Sequence, residues 1–70
     1  MDFSVPIRPE NYNLVICPKG QANQQVAGGV VQAGDNVFTV ALTGSGVQEY
    51  DLYINGEYYQ SMKVTFKNNG

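Results

Sequence analysis

Tyr50-Asp51-Leu52-Tyr53-Ile54-Asn55-Gly56-Glu57-Tyr58-Tyr59-Gln60-Ser61-Met62 joins two β-rich runs through an Asn-Gly pair. Tight turns between twisted strands need positive φ, which Asn tolerates and Gly adopts freely, so the pair predicts a hairpin. Upstream, Tyr50, Leu52 and Ile54 alternate with Glu49, Asp51 and Tyr53, the pattern of a strand with one buried face. Downstream, the even-numbered Tyr58, Met62, Val64 and Phe66 form the apolar set, opposite Glu57, Ser61, Lys63 and Thr65. A strict two-residue turn would pair Leu52 with Tyr59 and set the apolar face of one strand beside the polar face of the next. A three-residue loop, or a two-residue turn followed by a bulge at Tyr58-Tyr59, restores the match by pairing Leu52 with Gln60 and Tyr50 with Met62.

Before the hairpin, Val37-Phe38-Thr39-Val40-Ala41-Leu42 reads as the clearest strand, with Phe38, Val40 and Leu42 on one face. Its lack of charge predicts a central, covered position. Gly28-Gly29 is expected to fold Val26-Ala27 back onto Val30-Val31-Gln32, and Ala33-Gly34-Asp35-Asn36 to make a further turn. Gln21 to Gln25 lacks helical periodicity and reads as a loop, while Asn13 to Cys17 reads as a strand buried on both sides. Phe3, Val5 and Ile7 alternate with polar residues and prolines, which predicts either an edge strand or an extended arm across residues 1–10. Residues 67–70 read as a flexible, solvated tail.

No helix of ten residues can be drawn, and turn signals recur at short intervals. The expected fold is therefore all-β: one domain of five to seven short antiparallel strands in a small sandwich or open barrel. The strand, Gly-rich turn and hairpin between Val37 and Val64 resemble the final strands of small immunoglobulin-like modules. That resemblance covers under half the chain and lacks the cysteine pair and core tryptophan of the immunoglobulin pattern.

Seventy residues give a marginal core, and small chains usually gain support from disulfides, a metal or self-association. Cys17 is the single cysteine and histidine is absent, so an internal disulfide is excluded and no zinc or haem ligand set can be drawn; no cofactor is expected. Self-association is the support that remains. The net charge is −2, and Arg8, Lys19, Lys63 and Lys67 are scattered, so no basic stripe suits a run of phosphates and no nucleic-acid partner is expected. Charged residues make up 14%, well below the usual ~25%, which leaves a largely uncharged polar surface suited to protein contact. The first residues lack the features of a secretory signal, and no apolar run is long enough to span a membrane. The expected location is the cytoplasm of the producing cell, or a particle assembled there.

Catalysis would need a base drawn from Asp2, Glu10, Asp35, Glu49, Asp51 and Glu57. Glu49 and Asp51 stand two apart on a strand, which spaces their carboxylates roughly 6 to 7 Å apart on one face, open to acid-base pairing. A solvated polar face is the simpler reading, and no enzyme activity is expected. Glu49, Asp51 and Glu57 could also meet a calcium ion, but they lack the loop spacing that wraps one. Cys17 reads as a small buried hydrophobe rather than a reactive thiol, and no motif matches a phosphate-binding loop.

The excess of tyrosine remains: Tyr50, Tyr53, Tyr58 and Tyr59 crowd the hairpin, with Tyr53 and Tyr59 expected on or near the solvent side. Tyrosine combines contact area with a polar tip, which suits interfaces and sugar-stacking surfaces, although cross-strand pairing alone would also use it. Tyr53, Tyr58 and Tyr59, with Phe3, Val5 and Ile7 of the arm, are the candidate contact residues. The histidine-free, Gly/Asn/Gln-rich composition resembles that of accessory and decoration proteins of bacteriophage particles. That resemblance implies a non-enzymatic, self-associating structural protein whose partners are copies of itself or particle subunits. The alternative is a small binding module or phage-encoded inhibitor that takes a host protein or a carbohydrate on the Tyr-rich hairpin.

Overall fold

The computed structural model describes residues 1–67 as six strands: β1 (Asp2–Ser4), β2 (Tyr12–Pro18), β3 (Ala27–Val31), β4 (Val37–Thr39), β5 (Gly46–Ile54) and β6 (Glu57–Phe66). All pairings are antiparallel, and the strands form a four-stranded sheet in the order β3-β2-β5-β6 and a two-stranded ribbon, β1-β4. The two layers make the expected small β sandwich. Phe3 and Val5 from the ribbon side meet Tyr12, Leu14, Ile16, Val31, Tyr50, Leu52, Ile54 and Val64 in one core. Phe38, Val40, Leu42, Met62 and Phe66 pack against its margin. The pairing order is that of strands B-E and C′-C-F-G of an immunoglobulin-type sandwich, with the run from Val37 in the places of E, F and G.

The hairpin closes on a two-residue turn, Asn55 at φ 50° and Gly56 at φ 84°, the two positive values an Asn-Gly turn supplies. Ile54 pairs with Glu57 and Tyr53 with Tyr58, after which the register shifts and Leu52 pairs with Gln60, Tyr50 with Met62. Tyr59 is the extra residue of a β-bulge, so the face-matching expectation holds in its second form. One detail differs. The bulge lies past Tyr58, which therefore stands beside Tyr53 rather than with Met62 and Val64, and is 58% exposed.

Two other expectations are corrected. Gly28-Gly29 does not turn: Ala27–Val31 is one continuous strand. The glycines serve close approach instead. A Cβ on Gly28 would collide with the Leu14 carbonyl oxygen and lie 3.3 Å from Val15 Cα, while one on Gly29 would press the Phe38 ring at 3.2 Å. Val37–Leu42 is not a central strand either. Only Val37–Thr39 pairs: the antiparallel register sets Thr39 opposite Asp2 and Val40 beside Met1, so Ala41 and Leu42 lie past the residues that β1 offers. The covered face was legible, since Phe38, Val40 and Leu42 are half-buried while Val37, Thr39 and Ala41 are exposed.

The first residues lie on the chain's own core. Val5 N–H donates to the Asn36 carbonyl at 3.0 Å, and Val40 N–H to that of Met1 at 2.8 Å. The turn at Ala33-Gly34 forms, with Asp35 N–H donating to Gln32 at 3.1 Å and Gly34 at φ 87°. Gln21 to Gln25 is a loop, and of the expected tail Lys67 is exposed while residues 68–70 lie outside the described residues.

Close packing at Gly28 should be the costlier of two glycine substitutions. Gly28→Ala is expected to lose about 2–3 kcal/mol of stability, because β3 must part from β2. Gly34→Ala, which meets nothing within 4 Å, should lose only about 1 kcal/mol through its positive φ. Urea unfolding checks both, and equal losses would contradict the close-approach account.

Candidate functional site

Alternation along each strand of the larger sheet sends one set of side chains to the core and the other to an outer face. Register then aligns the outer set into rows. Gly28, Val15, Tyr53 and Tyr58 stand opposite one another across β3, β2, β5 and β6. Tyr53 and Tyr58 pack edge to face, with ring centroids 5.9 Å apart and planes at 75°. Exposed Val26 and Val30 on the β3 side widen this uncharged strip. Between Val15, Gln25, Val30 and Asn55 the surface dips into a hollow of about 520 Å³.

The next row is Cys17, Asp51 and Ser61. Asp51 is not on a solvated face as its neighbours in sequence suggested: it is 8% exposed and fully engaged. Ser61 Oγ donates to Asp51 Oδ1 at 2.7 Å, and the Gly20 N–H donates to Oδ2 at 3.1 Å. Because the Ser61 proton points to the carboxylate, the Tyr58 hydroxyl is the donor in its 2.8 Å contact with Ser61 Oγ. A chain of three hydrogen bonds thus runs from Gly20 through the Asp51 carboxylate and Ser61 to the ring of Tyr58. It fixes the ring that Tyr53 stacks on.

Ser61 donation, then that of Gly20, holds the Asp51 carboxyl below its ordinary pKa, and Lys19 adds to this against the effect of burial. Such a carboxylate is a poor base, so the Asp51–Ser61 contact orders side chains instead of activating a nucleophile. Glu49 is taken by Lys19 at 2.8 Å, which lowers the pKa of the acid and raises that of the amine. Glu49 and Asp51 therefore answer to different partners. Among the described residues no three acidic or thiol side chains come together as a metal site, so the structure does not gather Glu49, Asp51 and Glu57. Cys17 is fully buried beneath the loop, its Sγ 3.4 Å from the Ala22 carbonyl oxygen, and burial followed by the Asp51 charge raises its pKa. It is the small hydrophobe expected.

Of the candidate contact residues, Tyr53 is half-buried and Tyr58 and Tyr59 are exposed. Phe3 at 2% and Val5 at 6% belong to the core of this chain, while Ile7 is 67% exposed. The structure thus joins Tyr53 and Tyr58 in one row and separates them from the arm. Val15, Val26, Val30 and Ser61 complete the face and escaped sequence reasoning. The Tyr50–Met62 pairing already implied that Asp51 faces Ser61; nothing local announced that Gly20 would join them. Comparison with protein-family models, with curated protein sequences and with solved structures gave no match. The functional reading therefore rests on the site itself.

A carboxyl more acidic in the folded than in the unfolded chain contributes stability above its unfolded pKa, near 4, and that contribution disappears as pH falls through the lower folded value. Ser61→Ala removes the largest cause of the shift. The Asp51 pKa should rise toward the ordinary value and acid unfolding should begin at a higher pH. Carbon-13 titration of the carboxyl and circular dichroism against pH measure the two effects; an unmoved pKa would remove Ser61 from this role.

Proposed function

We propose that this chain is a non-enzymatic structural or interaction protein that binds protein through the outer face of its four-stranded sheet, with copies of itself or the subunits of a particle as partners. The observation that carries this reading is the Val15–Tyr53–Tyr58 row, whose terminal ring is held by the Ser61–Asp51–Gly20 chain. Ordering a tyrosine before contact reduces the entropy lost on binding, and fixed aromatic rings with few rotatable bonds are what contact surfaces favour. Val26 and Val30 extend the uncharged area, while the Lys19–Glu49 pair sits beyond it. That is the arrangement of an apolar centre with a charged rim.

Size supports the same reading, because a second copy would supply burial that 70 residues provide only sparingly. The low charge keeps the desolvation cost of contact small. Together with the Gly/Asn/Gln-rich composition, this favours an accessory component of a bacteriophage-type particle, made and assembled within the producing cell.

Sedimentation velocity over a micromolar concentration series is the test. The wild-type chain should associate reversibly, and Tyr53→Ala or Tyr58→Ala should weaken association by about tenfold or more. Tyr58→Phe, which keeps the ring and loses the hydroxyl, should have an intermediate effect. A wild-type chain that stays monomeric throughout, or an association indifferent to all three substitutions, would refute the assignment of this face.

A further inference from the structure

A second concavity lies at the turn end of the sandwich, a hollow of about 310 Å³ lined by Arg8, Ile54, Asn55, Glu57, Tyr58 and Tyr59. Its volume is at the lower end of small-molecule sites, enough for one sugar-sized ring. Several of its polar groups are positioned from outside the hollow. The Arg8 guanidinium carbon sits 5.3 Å from the centre of the Tyr12 ring, and Tyr12 is itself anchored by its hydroxyl donating to the Pro6 carbonyl at 2.7 Å. Asn55 Oδ1 accepts the Asn13 N–H at 3.0 Å, which leaves the side-chain NH2 of Asn55 free to donate elsewhere.

We propose that this hollow binds an uncharged saccharide ring. Arg8 and Glu57 bring opposite charges to one small site, so an ion of either sign meets a like charge, whereas a neutral polyol uses both groups. Sugar hydroxyls accept from the Arg8 guanidinium and the Asn55 amide and donate to the Glu57 carboxylate. Tyr59, 40% exposed, offers an aromatic wall for the apolar face of the ring. Among the described residues Arg8 has no carboxylate within ion-pair distance, so its donors are open to a ligand. The site goes beyond the protein-contact reading: Tyr58 borders both, but Val15, Val26, Val30 and Tyr53 of the contact face lie outside the hollow.

Amide chemical shifts of the full chain, followed by NMR during titration with glucose, galactose and N-acetylglucosamine and with their methyl glycosides, test the proposal. The methyl glycosides stand for chain ends of a glycan and the reducing sugars for free ligand, so the tighter class identifies the source. Saturable shifts are expected at Arg8, Asn55, Glu57 and Tyr59. Arg8→Ala and Glu57→Gln should each weaken binding by about tenfold, the loss of one charge-assisted hydrogen bond. Both residues are exposed, so the variants should retain the wild-type amide spectrum elsewhere. Val30→Ser, on the contact face but away from the hollow and from Tyr58, should leave sugar binding unchanged, which separates failure of this site from failure of the contact face. The proposal is overturned by no saturable shift with any of these sugars, by shifts that survive both substitutions, or by acetate binding at the same residues more tightly than the sugars.

Discussion

Everything in this molecule depends on how β6 registers against β5. β5 lies between β2 and β6, so its faces decide which side of the sheet is core for both neighbours. A slip of one residue past the bulge would turn Met62, Val64 and Phe66 outward, side chains worth about 1.5–3 kcal/mol each when fully buried. Set against that, a bulge leaves one residue unpaired. The chain therefore keeps the tight Asn55-Gly56 turn, which suits strand twist, and corrects its phase immediately afterwards at Tyr59. The tight turn, ahead of that correction, places Tyr58 across from Tyr53 and so builds the aromatic row.

How far the fold could be read from the chain depended on whether a residue type had one physical use or two. Face matching around Asn55-Gly56 had a single solution class, and the structure falls within it. Gly28-Gly29 had two, since the absent Cβ that permits a turn also permits close approach of backbones, and only the neighbours Leu14 and Phe38 decide between them. Val37–Leu42 misled because β propensity is a property of the strand, whereas ladder length is set by the partner, and the register already sets Thr39 opposite Asp2 near the start of β1. The site was half legible. Tyrosine enrichment pointed to the hairpin, but the burial of Asp51 required donors from Gly20 and Ser61, 31 and 10 residues away.

The outer face shows an order that its composition alone does not. Successive rows pass from aromatic and aliphatic, through the enclosed Asp51–Ser61 pair, to the exposed Lys19–Glu49 ion pair. Each polar row has a use for the one beside it: Lys19 helps keep Asp51 ionised, and Asp51 orders Ser61 and through it Tyr58. Surface ion pairs contribute little stability by themselves. Lys19 adds the smallest of the contributions that hold the Asp51 carboxyl low, after Ser61 and Gly20. The cost of enclosing a charge on a small sheet is offset by a ring whose orientation is settled in advance.

β6 is the longest strand, yet it lies at the outer edge of the sheet with one row of backbone groups unpaired. A flat ten-residue edge would recruit further strands without limit, the route by which small β chains become fibres. The kink at Tyr59 interrupts that edge near one end, and Lys63 puts a charge near its middle. Lateral polymerisation is thereby discouraged along the strand most exposed to it.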